Sequence, residues 1–406
     1  MAVWSRRSRS GTGPRPIIIT GGGTAGHTNP GIAVAQALAE GGMPRGMIHF
    51  IGGARGNEGT LVGEAGFSID LLPGRGIQRK PTIENIGSVL GLLAGFVKGF
   101  AIVAKRRPQA VLCLGGYAAF AASAAAVILR IPLVITEQNA RANAVNRLFG
   151  RFAEVCALPF PDTDLPKGVL TGNPIRATIL RAVTEADPHR ARGDLIERYR
   201  ASAPDGEAAS ELGDRTLIAV WAGSLGATRI NSAVRDLVEI WAERDDVAIY
   251  HVVGRRDWAQ FGPAGSEPAR PAAGLQYLRV EYEDEMPDLL VAADFAVCRA
   301  GASTVTELAV AGLPAVLVPY PSATRNHQLA NSAELDQAGG AIVVADQDVT
   351  GAKLAELLGP IVVDGQRRSA MAAGAASVAR PNAARDVAEL LLNAGGSDRV
   401  AIEGAT

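Results

Sequence analysis

The chain has 406 residues, more than one hydrophobic core usually encloses, so two domains are expected. Hydrophobic residues make up 48% of the sequence and charged residues 20%, which is typical of a globular protein with ample apolar material to bury. The formal net charge of -1 excludes an overall attraction to polyanions, so no nucleic acid partner is expected. Cys113, Cys156 and Cys298 lie far apart in apolar runs and predict buried, reduced thiols of a cytosolic protein.

A basic segment precedes the first apolar run. Residues 1–14 carry Arg6, Arg7 and Arg9 among serines and glycines, without an apolar stretch. This composition predicts a disordered tail and not a signal peptide. Contact of the tail with anionic lipid is the alternative interpretation.

A glycine-rich turn follows the first predicted strand. The apolar run 17–19 leads into residues 21–27, and an amphipathic helical pattern starts at Ile32. Glycines permit positive φ, while the first N–H groups of a helix and its dipole favour an anion. The stretch therefore predicts a strand, a phosphate-type turn and a helix.

The same turn also fits a dinucleotide site. Gly21, Gly23 and Gly26 match the pattern G-x-G-x-x-G. A dinucleotide-binding domain would offer Asp or Glu roughly 20 residues beyond the glycines, and none follows the predicted strand 47–51 directly. Arg55 could instead meet an NADP phosphate, so an NADP-linked oxidoreductase stays open as an alternative.

The longest apolar stretch, residues 86–104, allows two interpretations. Lys98 and several glycines inside it argue against a membrane-spanning helix. Apolar side chains recur there at helical spacing, at Leu92, Leu93, Phe96, Val97, Phe100 and Val103. They form either the buried face of a crossover helix or an amphipathic surface that rests on a membrane. Basic residues that would assist the second alternative are Lys98, Lys105, Arg106 and Arg107.

Two successive arrays of strands and helices follow, each opening on its own glycine turn. Strand patterns lie at 110–114, 131–136, 155–158, 169–171, 217–221, 248–253, 277–280, 295–298 and 314–319. Helical patterns lie at 118–129, 230–241, 287–292 and 383–392. The fold class is therefore α/β, with two doubly wound Rossmann-like domains facing across a cleft.

The domain boundaries follow from this pattern. The first domain is expected to span residues 15–173 and the second residues 174–379, with a helix near 380–395 returning to the first. Residues 181–215 are rich in charge, Ala, Gly and Pro, which predicts a surface insertion with one helix near 195–199.

Polar residues at predicted strand ends are the candidates for chemistry. Thr304 with Glu307 fits a capping box, but Glu307 could equally hold the hydroxyls of a ribose while the helix start meets a diphosphate. His27 and His327 follow strands in different halves, which favours a reaction between the halves. The D-x-D sequence at 162–164 is bracketed by prolines and predicts a turn more than a metal site.

Taken together, seven motifs in chain order carry a family resemblance. They are Gly21-Gly22-Gly23-Thr24-Ala25-Gly26-His27, Gly115-Gly116-Tyr117, Glu137-Gln138-Asn139, Gly172-Asn173-Pro174-Ile175-Arg176, Gly223-Ser224-Leu225-Gly226-Ala227, Gly301-Ala302-Ser303-Thr304-Val305-Thr306-Glu307 and Asn326-His327-Gln328. This series resembles the bacterial lipid II synthases, the UDP-N-acetylglucosamine:N-acetylmuramyl-(pentapeptide) pyrophosphoryl-undecaprenol N-acetylglucosaminyltransferases of peptidoglycan assembly. The resemblance covers residues 17 to about 392. Ser303, where a larger apolar residue is frequent, and Leu225, in place of the usual Gln, depart from the family pattern.

The resemblance implies an inverting GT-B transferase that moves N-acetylglucosamine from UDP to the 4-hydroxyl of the muramyl sugar of lipid I. The implied donor-binding residues are Thr24, Ala25, Gly26, Asn139, Arg176, Ser224, Ala302, Ser303, Thr304, Glu307, His327 and Gln328. Those implied for the acceptor pyrophosphate are Gly22, Gly23, Gly115, Gly116 and Tyr117. His27 is the candidate general base, with Glu137 as a rival base or an orienting group. No cofactor and no metal ion is expected.

The resemblance also implies a location. A lipid-borne acceptor requires peripheral contact with the anionic cytoplasmic face of the cell membrane, which the resemblance assigns to residues 86–107. Other cell-wall synthesis proteins are candidate partners. From the residues alone, a catalytically silent protein that binds lipid pyrophosphates remains a further alternative.

Overall fold

The computed structural model describes residues 15–22, 25–73, 84–202, 212–223, 227–262 and 274–396. The chain divides into two compact units, one comprising Met1–Arg176 with Arg380–Thr406 and the other Ala177–Ala379. The tail predicted at 1–14 lies outside the described residues.

The first unit begins with β1 Ile17–Gly21, α1 Ala25–Glu40, β2 Ile48–Gly53, α2 Glu58–Glu64, β3 Ser68–Leu72, α3 Glu84–Arg106, β4 Ala110–Gly115, α4 Tyr117–Ile128, β5 Leu133–Thr136, α5 Ala144–Gly150, β6 Val155–Leu158 and β7 Gly168–Leu170. The second unit contains α6 Ala177–Thr184, α7 Pro188–Ser202, β8 Thr216–Trp221, α8 Thr228–Ile240, β9 Val247–Val252, α9 Trp258–Phe261, β10 Gln276–Val280, α10 Met286–Ala292, β11 Phe295–Cys298, α11 Ala302–Ala311, β12 Ala315–Leu317, α12 His327–Gln337, β13 Ala341–Val343, α13 Gly351–Val363 and α14 Gly365–Ser377. The chain then returns to the first unit as α15 Ala383–Ala394.

The first unit is built on a parallel sheet whose two faces are both covered. The strand order is β3-β2-β1-β4-β5-β6-β7. Ile17 and Ile19 of β1 point into a core with α1 and α15, while Ile18 between them packs with the alanines of α4. Because successive side chains of a strand point to opposite faces, a continuous apolar run is what a doubly covered strand requires.

The second unit repeats this arrangement. Its parallel sheet has the order β10-β9-β8-β11-β12-β13. Ile218 and Val220 of β8 share a core with Val234 and Leu237 of α8 and with Leu354 of α13. The predicted fold class, two doubly wound parallel sheets, is confirmed.

Two sequence predictions need correction. The first helix begins at Ala25, seven residues before the predicted start at Ile32. The segment 181–215 is more than a surface insertion, because α7 spans fifteen residues and buries Leu195 and Ile196. Arg192 of α7 also forms an ion pair with Asp294 at 2.6 Å. This helix is therefore part of the packed second unit.

The cysteines agree with the prediction of buried, reduced thiols, and a buried strand histidine is satisfied by hydrogen bonds. The three cysteines are buried and free of disulfides. His49 of β2 is buried, and its ring nitrogens lie 2.8 Å from Ser68 Oγ and 2.8 Å from Asp70 Oδ2. These contacts satisfy both ring nitrogens, which gives this histidine a structural role.

Candidate active site

Two glycine turns meet at the switch point of the first sheet, where β1 and β4 are neighbours. Gly22 follows β1 and Gly116 follows β4, and a side chain on Gly116 would collide with the carbonyl oxygen of Gly22. Gly116 has a φ of 84° and a ψ of 172°, a conformation essentially restricted to glycine. Ligands of doubly wound sheets bind outside the carboxyl ends of the strands at such a point. The structure thus brings together part of the predicted acceptor site.

Three helices, one in the first unit and two in the second, start without a side-chain cap. Gly116, Ala227 and Gly301 precede α4, α8 and α11, and none of them caps its helix through a side chain. By contrast, Asn143 and Thr350 cap α5 and α13 with their side-chain oxygens. The first amides of α4, α8 and α11 are therefore not engaged by a cap side chain, and with the helix dipole they favour a phosphate group.

An acidic residue that the sequence analysis did not single out lies beside the first turn. Glu58, the first residue of α2, is 2% exposed, and its Oε1 occupies the space that a side chain on Gly22 would need. The ring of Tyr117 crosses Gly53, where an added Cβ would collide with the phenol. Burial, and next the charge of Glu58, raise the pKa of Tyr117, which keeps its hydroxyl protonated as a donor.

The sequence signal for Glu58 was weak but present. It stands five residues beyond the end of β2, in a glycine-rich loop, at the first position of a short helix. An acid expected directly at the end of the strand does not include this position.

In the second unit, α11 presents a polar face. Ser303, Thr304 and Glu307 are partly exposed, whereas Val305 and Leu308 are buried on the other side of the helix. Positions three and four residues apart share a helix face, so Thr304 and Ser303 both lie on the side of Glu307. Ala302, the first residue of the helix, is buried beneath them.

The capping box predicted at Thr304 and Glu307 is wrong. The helix starts at Ala302 after Gly301, so Thr304 is already its third residue. Gly312 ends the helix in the left-handed conformation, with a φ of 61°. Since Glu307 lies too far into the helix to pair with an N-cap, the ribose interpretation is the one that stays open.

The loop between β12 and α12 is fixed by its own polar side chains. Gln328 Oε1 accepts a hydrogen bond from the backbone N of Tyr320 at 2.8 Å. His327 Nδ1 lies 2.9 Å from a backbone carbonyl oxygen of the preceding turn, to which Nδ1–H donates a hydrogen bond. Arg325 and Asn326 have φ values of 56° and 52°, a strained pair of the kind that concentrates at binding sites.

A series of hydrogen bonds between buried side chains reaches the first turn of α8. Tyr277 Oη lies 2.8 Å from His251 Nδ1, and His251 Nε2 lies 3.0 Å from Asn231 Oδ1. Asn231 Nδ2 and Thr228 Oγ1 both donate to Asp257 Oδ2, at 3.1 and 3.2 Å. Burial lowers the pKa of His251 to about 3, so its ring is neutral. These hydrogen bonds therefore hold the start of α8 with an uncharged histidine.

Asp346 links two arginines near the same helix start. Its Oδ1 lies 2.6 Å from Arg299 Nη1, and its Oδ2 lies 3.3 Å from Arg229 Nε in the first turn of α8. Arg299 also donates to the carbonyl oxygens of Val318 and Pro319. The ends of β11, β12 and β13 are thereby tied to α8.

Several predicted site residues remain to be placed. Gly23, Thr24 and Ser224 lie outside the described residues. Gly26 and His27 are the second and third residues of α1. His27, Asn139 and Arg176 are partly exposed. Arg176 is the last residue of the segment Met1–Arg176 of the first unit.

The D-x-D sequence has a structural explanation. Residues 162–164 lie in a turn and loop, as predicted, and Asp164 Oδ1 accepts a hydrogen bond from the backbone N of Ala142 at 2.7 Å. In the part of the chain that the structure describes, no cluster of three or more His, Cys, Asp or Glu residues could hold a metal ion.

Comparison with known proteins decides the family. The profile described as glycosyltransferase family 28 N-terminal domain matches residues 17–157, and that of the family 28 C-terminal domain matches residues 217–390. The chain belongs to glycosyltransferase family 28. This membership favours the sugar-nucleotide interpretation over the NADP-linked one.

Relatives of this family 28 chain agree with the resemblance seen in the motifs. A UDP-N-acetylglucosamine--N-acetylmuramyl-(pentapeptide) pyrophosphoryl-undecaprenol N-acetylglucosamine transferase of Nitratidesulfovibrio vulgaris (strain DP4) is 35% identical over 384 residues, which cover 93% of this chain and 97% of the relative. A protein of the same name from Nocardioides sp. (strain ATCC BAA-499 / JS614) is 35% identical over 382 residues, with 93% and 98% covered. The crystal structure of Acinetobacter baumannii MurG superposes with a TM-score of 0.69 at 27% identity, covering 94% of this chain and all of that one. The lipid II synthase resemblance is thereby confirmed.

Helix α3 of this family 28 chain has both buried and exposed apolar side chains. Val103 is buried, and Phe96 packs with Phe120 of α4 at a ring separation of 6.2 Å. Leu93 and Val97, on another side of the same helix, are 57% and 66% exposed. One side of α3 is therefore core, and another is an apolar surface.

Further apolar side chains are exposed at α5 of the same unit. Leu148 and Phe152, in and just after α5, are exposed, and the guanidinium of Arg151 lies over the Phe152 ring at 5.5 Å. Lys98 Nζ donates to the carbonyl oxygen of Leu71 at 2.8 Å. Of the helices described, none is both long and apolar enough to cross a membrane.

Proposed function

We propose that this chain transfers N-acetylglucosamine from UDP-N-acetylglucosamine to the 4-hydroxyl of the muramyl sugar of lipid I, forming lipid II with inversion at the anomeric carbon. The observation that carries the proposal is the 35% identity, across 93% of the chain, with a relative named for this transfer. The glycine turns, the uncapped helix starts and the polar face of α11 supply the groups that such a reaction needs.

The donor is assigned to the second unit. The amides at the starts of α8 and α11 would bind the diphosphate, assisted by Ser224 and Arg176, and Glu307 would accept hydrogen bonds from the ribose hydroxyls. The other donor contacts carried over from the family are Thr24, Ala25, Gly26, Asn139, Ala302, Ser303, Thr304, His327 and Gln328. Departure of UDP leaves negative charge on its diphosphate, which oriented amides and a guanidinium stabilise.

The acceptor is assigned to the first unit. Its pyrophosphate would lie on the turns of Gly22 to Gly23 and Gly115 to Gly116, with the Tyr117 hydroxyl as a further donor. His27 would take the proton of the attacking 4-hydroxyl, so that the new bond to the anomeric carbon forms as the bond to UDP breaks.

The exposed apolar side of α3, with Leu148 and Phe152, is proposed to rest on the cytoplasmic face of the cell membrane. Lys105, Arg106, Arg107 and Arg151 supply positive charge that anionic lipid attracts. This contact would bring the chain to its lipid-borne acceptor, and other cell-wall synthesis proteins are proposed as neighbours there.

Release of UDP tests the proposal. Purified protein receives UDP-N-acetylglucosamine and a lipid I analogue, and UDP is measured. We expect turnover in the wild type, with a fall of about 100-fold or more in His27→Ala if His27 is the general base. His189→Ala, which alters an exposed histidine of α7, is the matched control and should retain activity. A wild type that releases no UDP would refute the proposed function.

Donor binding is tested separately by calorimetry. Glu307→Gln should weaken UDP-N-acetylglucosamine binding by about tenfold, because a charge-assisted hydrogen bond to the ribose is replaced by a neutral one. Glu356→Gln on the surface of α13 is the control. Binding of NADPH in place of the UDP-sugar would contradict the donor assignment.

A further inference from the structure

Glu137, just beyond β5, is a fully buried carboxylate whose two oxygens are both occupied. Oε1 accepts from the backbone N of Gln138 at 2.9 Å and of Asn139 at 3.1 Å. Oε2 accepts from the backbone N and the Nδ2 of Asn143, both at 2.9 Å, and from Asn146 Nδ2 at 2.9 Å. Five N–H donors use the acceptor capacity of an ionised carboxylate. No lone pair is left to take a proton from a substrate hydroxyl.

The partners of Glu137 lead directly to a glycine turn. With its Nδ2 directed at Glu137, Asn143 turns its Oδ1 to the start of α5, where it accepts from the backbone N of Val145 at 3.1 Å and of Asn146 at 3.0 Å. The same Asn143 amide lies against Gly115, where any Cβ would collide with it. The orientation of one amide therefore supports the turn that follows β4.

The environment beneath this network keeps it fixed. Cys113 Sγ donates to Asn146 Oδ1 at 3.3 Å. Burial raises the pKa of the Cys113 thiol to about 11, so the thiol stays protonated and remains a donor. Asn146 itself is fully buried. Its amide thus bridges the thiol and Glu137 in one orientation.

We infer that Glu137 is a positioning residue and not the general base. Through its bonds to the backbone of Asn139 it holds a residue assigned to the donor, and through Asn143 it holds the turn of Gly115 and Gly116 assigned to the acceptor pyrophosphate. The inference rests on the proposed function, because that function assigns these two contacts. A single buried carboxylate then sets the geometry of both substrates.

Two variants and their kinetics test this role. Glu137→Gln places an amide NH₂ against N–H donors, and Asn143→Ser keeps a side-chain oxygen that can cap α5 but loses the amide bonded to Glu137. Each variant should raise the KM for the lipid I analogue about 10-fold or more, the cost of one lost buried hydrogen bond to a charge. The acidic limb of the kcat pH profile should be unchanged in both, because the base lies elsewhere. Glu154→Gln, an exposed acid of the same unit, is the control.

Coupling between the variants gives a readout that simple loss of stability would not. The double variant should raise the KM for the acceptor no further than the worse single variant, since both break one network. If Glu137→Gln fails to fold, the KM and the pH profile are measured with Asn143→Ser alone.

Two outcomes would contradict the positioning role of Glu137. If Glu137→Gln abolished kcat with both KM values unchanged, while Asn143→Ser behaved as the wild type, Glu137 would itself be the base and the inference would be wrong. Wild-type KM values in both variants would also overturn it. A wild-type protein without any turnover would instead refute the proposed function, so the two failures are distinguishable.

Discussion

Replacing Gly116 by alanine tests the close approach of the two glycine turns in the first unit. At a φ of 84° and a ψ of 172° an alanine is strained by about 1–3 kcal/mol. Its Cβ would also collide with the carbonyl oxygen of Gly22, so the first turn must shift. In a unit of this size each kcal/mol lowers the melting temperature by about 2–4 °C. We therefore expect a fall of roughly 5 °C.

Function should respond more than stability does. Displacing the turn after β1 moves both loops assigned to the acceptor, so the KM for a lipid I analogue should rise at least about tenfold, while binding of UDP-N-acetylglucosamine changes less. The assays are thermal unfolding, UDP release against acceptor concentration, and calorimetry with the donor.

Two glycines serve as controls for Gly116→Ala. Gly63 lies within α2 with open space around its Cα, so Gly63→Ala should be neutral or stabilising. Gly339 has a φ of 73° but no atom near an added Cβ, so Gly339→Ala measures backbone strain without collision. If Gly116→Ala matched Gly63→Ala in both stability and acceptor KM, the reasoning from the close approach would be refuted.

Three further predictions concern stability and membrane contact. The pKa of His251 is lowered to about 3, so below pH 6.5 the unfolded chain takes up a proton that the folded chain does not. The free energy of unfolding, measured in guanidinium, should therefore fall by about 2 kcal/mol between pH 7 and pH 5. The fall should be smaller in His251→Gln. Val97→Glu should weaken cosedimentation with anionic vesicles about tenfold, whereas the equally exposed Val363→Glu should not. Arg192→Ala, which leaves Asp294 without its ion pair, should lower the free energy of unfolding by about 1–3 kcal/mol. A neutral result would mean that this contact does not anchor α7.

The fold could be predicted from the sequence because its strands are buried on both faces. Continuous apolar runs such as 17–19 and 295–298 have few other interpretations when they alternate with helical patterns. The strand Phe295–Cys298 was placed at its observed bounds. The helix ends were less certain, because glycine, polar residues and Pro30 occupy the first turns of α1 and hide its start.

The roles of individual side chains were harder to predict from the sequence than the fold was. The interpretation of Glu307 as a capping residue depended on where α11 begins, and a helix can start at an uncapped glycine such as Gly301. Glu58 owes its contact with Gly22 to two loops that approach each other in space. The partners of Glu137 lie in the short segment that follows it, and their contacts depend on how that segment folds back onto the carboxylate. The motifs around Glu137 identified the family, but its five hydrogen bonds required coordinates.

Helix α15 has a consequence for how the chain is made. Val387 and Leu391 of this helix complete the core around Ile17 and Val34, which are synthesised more than 350 residues earlier. On a ribosome that works from the amino end, the second unit has all its strands before the first unit receives its last helix. The half that emerges first should therefore mature last, and a chain that stops before Ala383 would leave its amino-terminal half a substrate for chaperones and proteases.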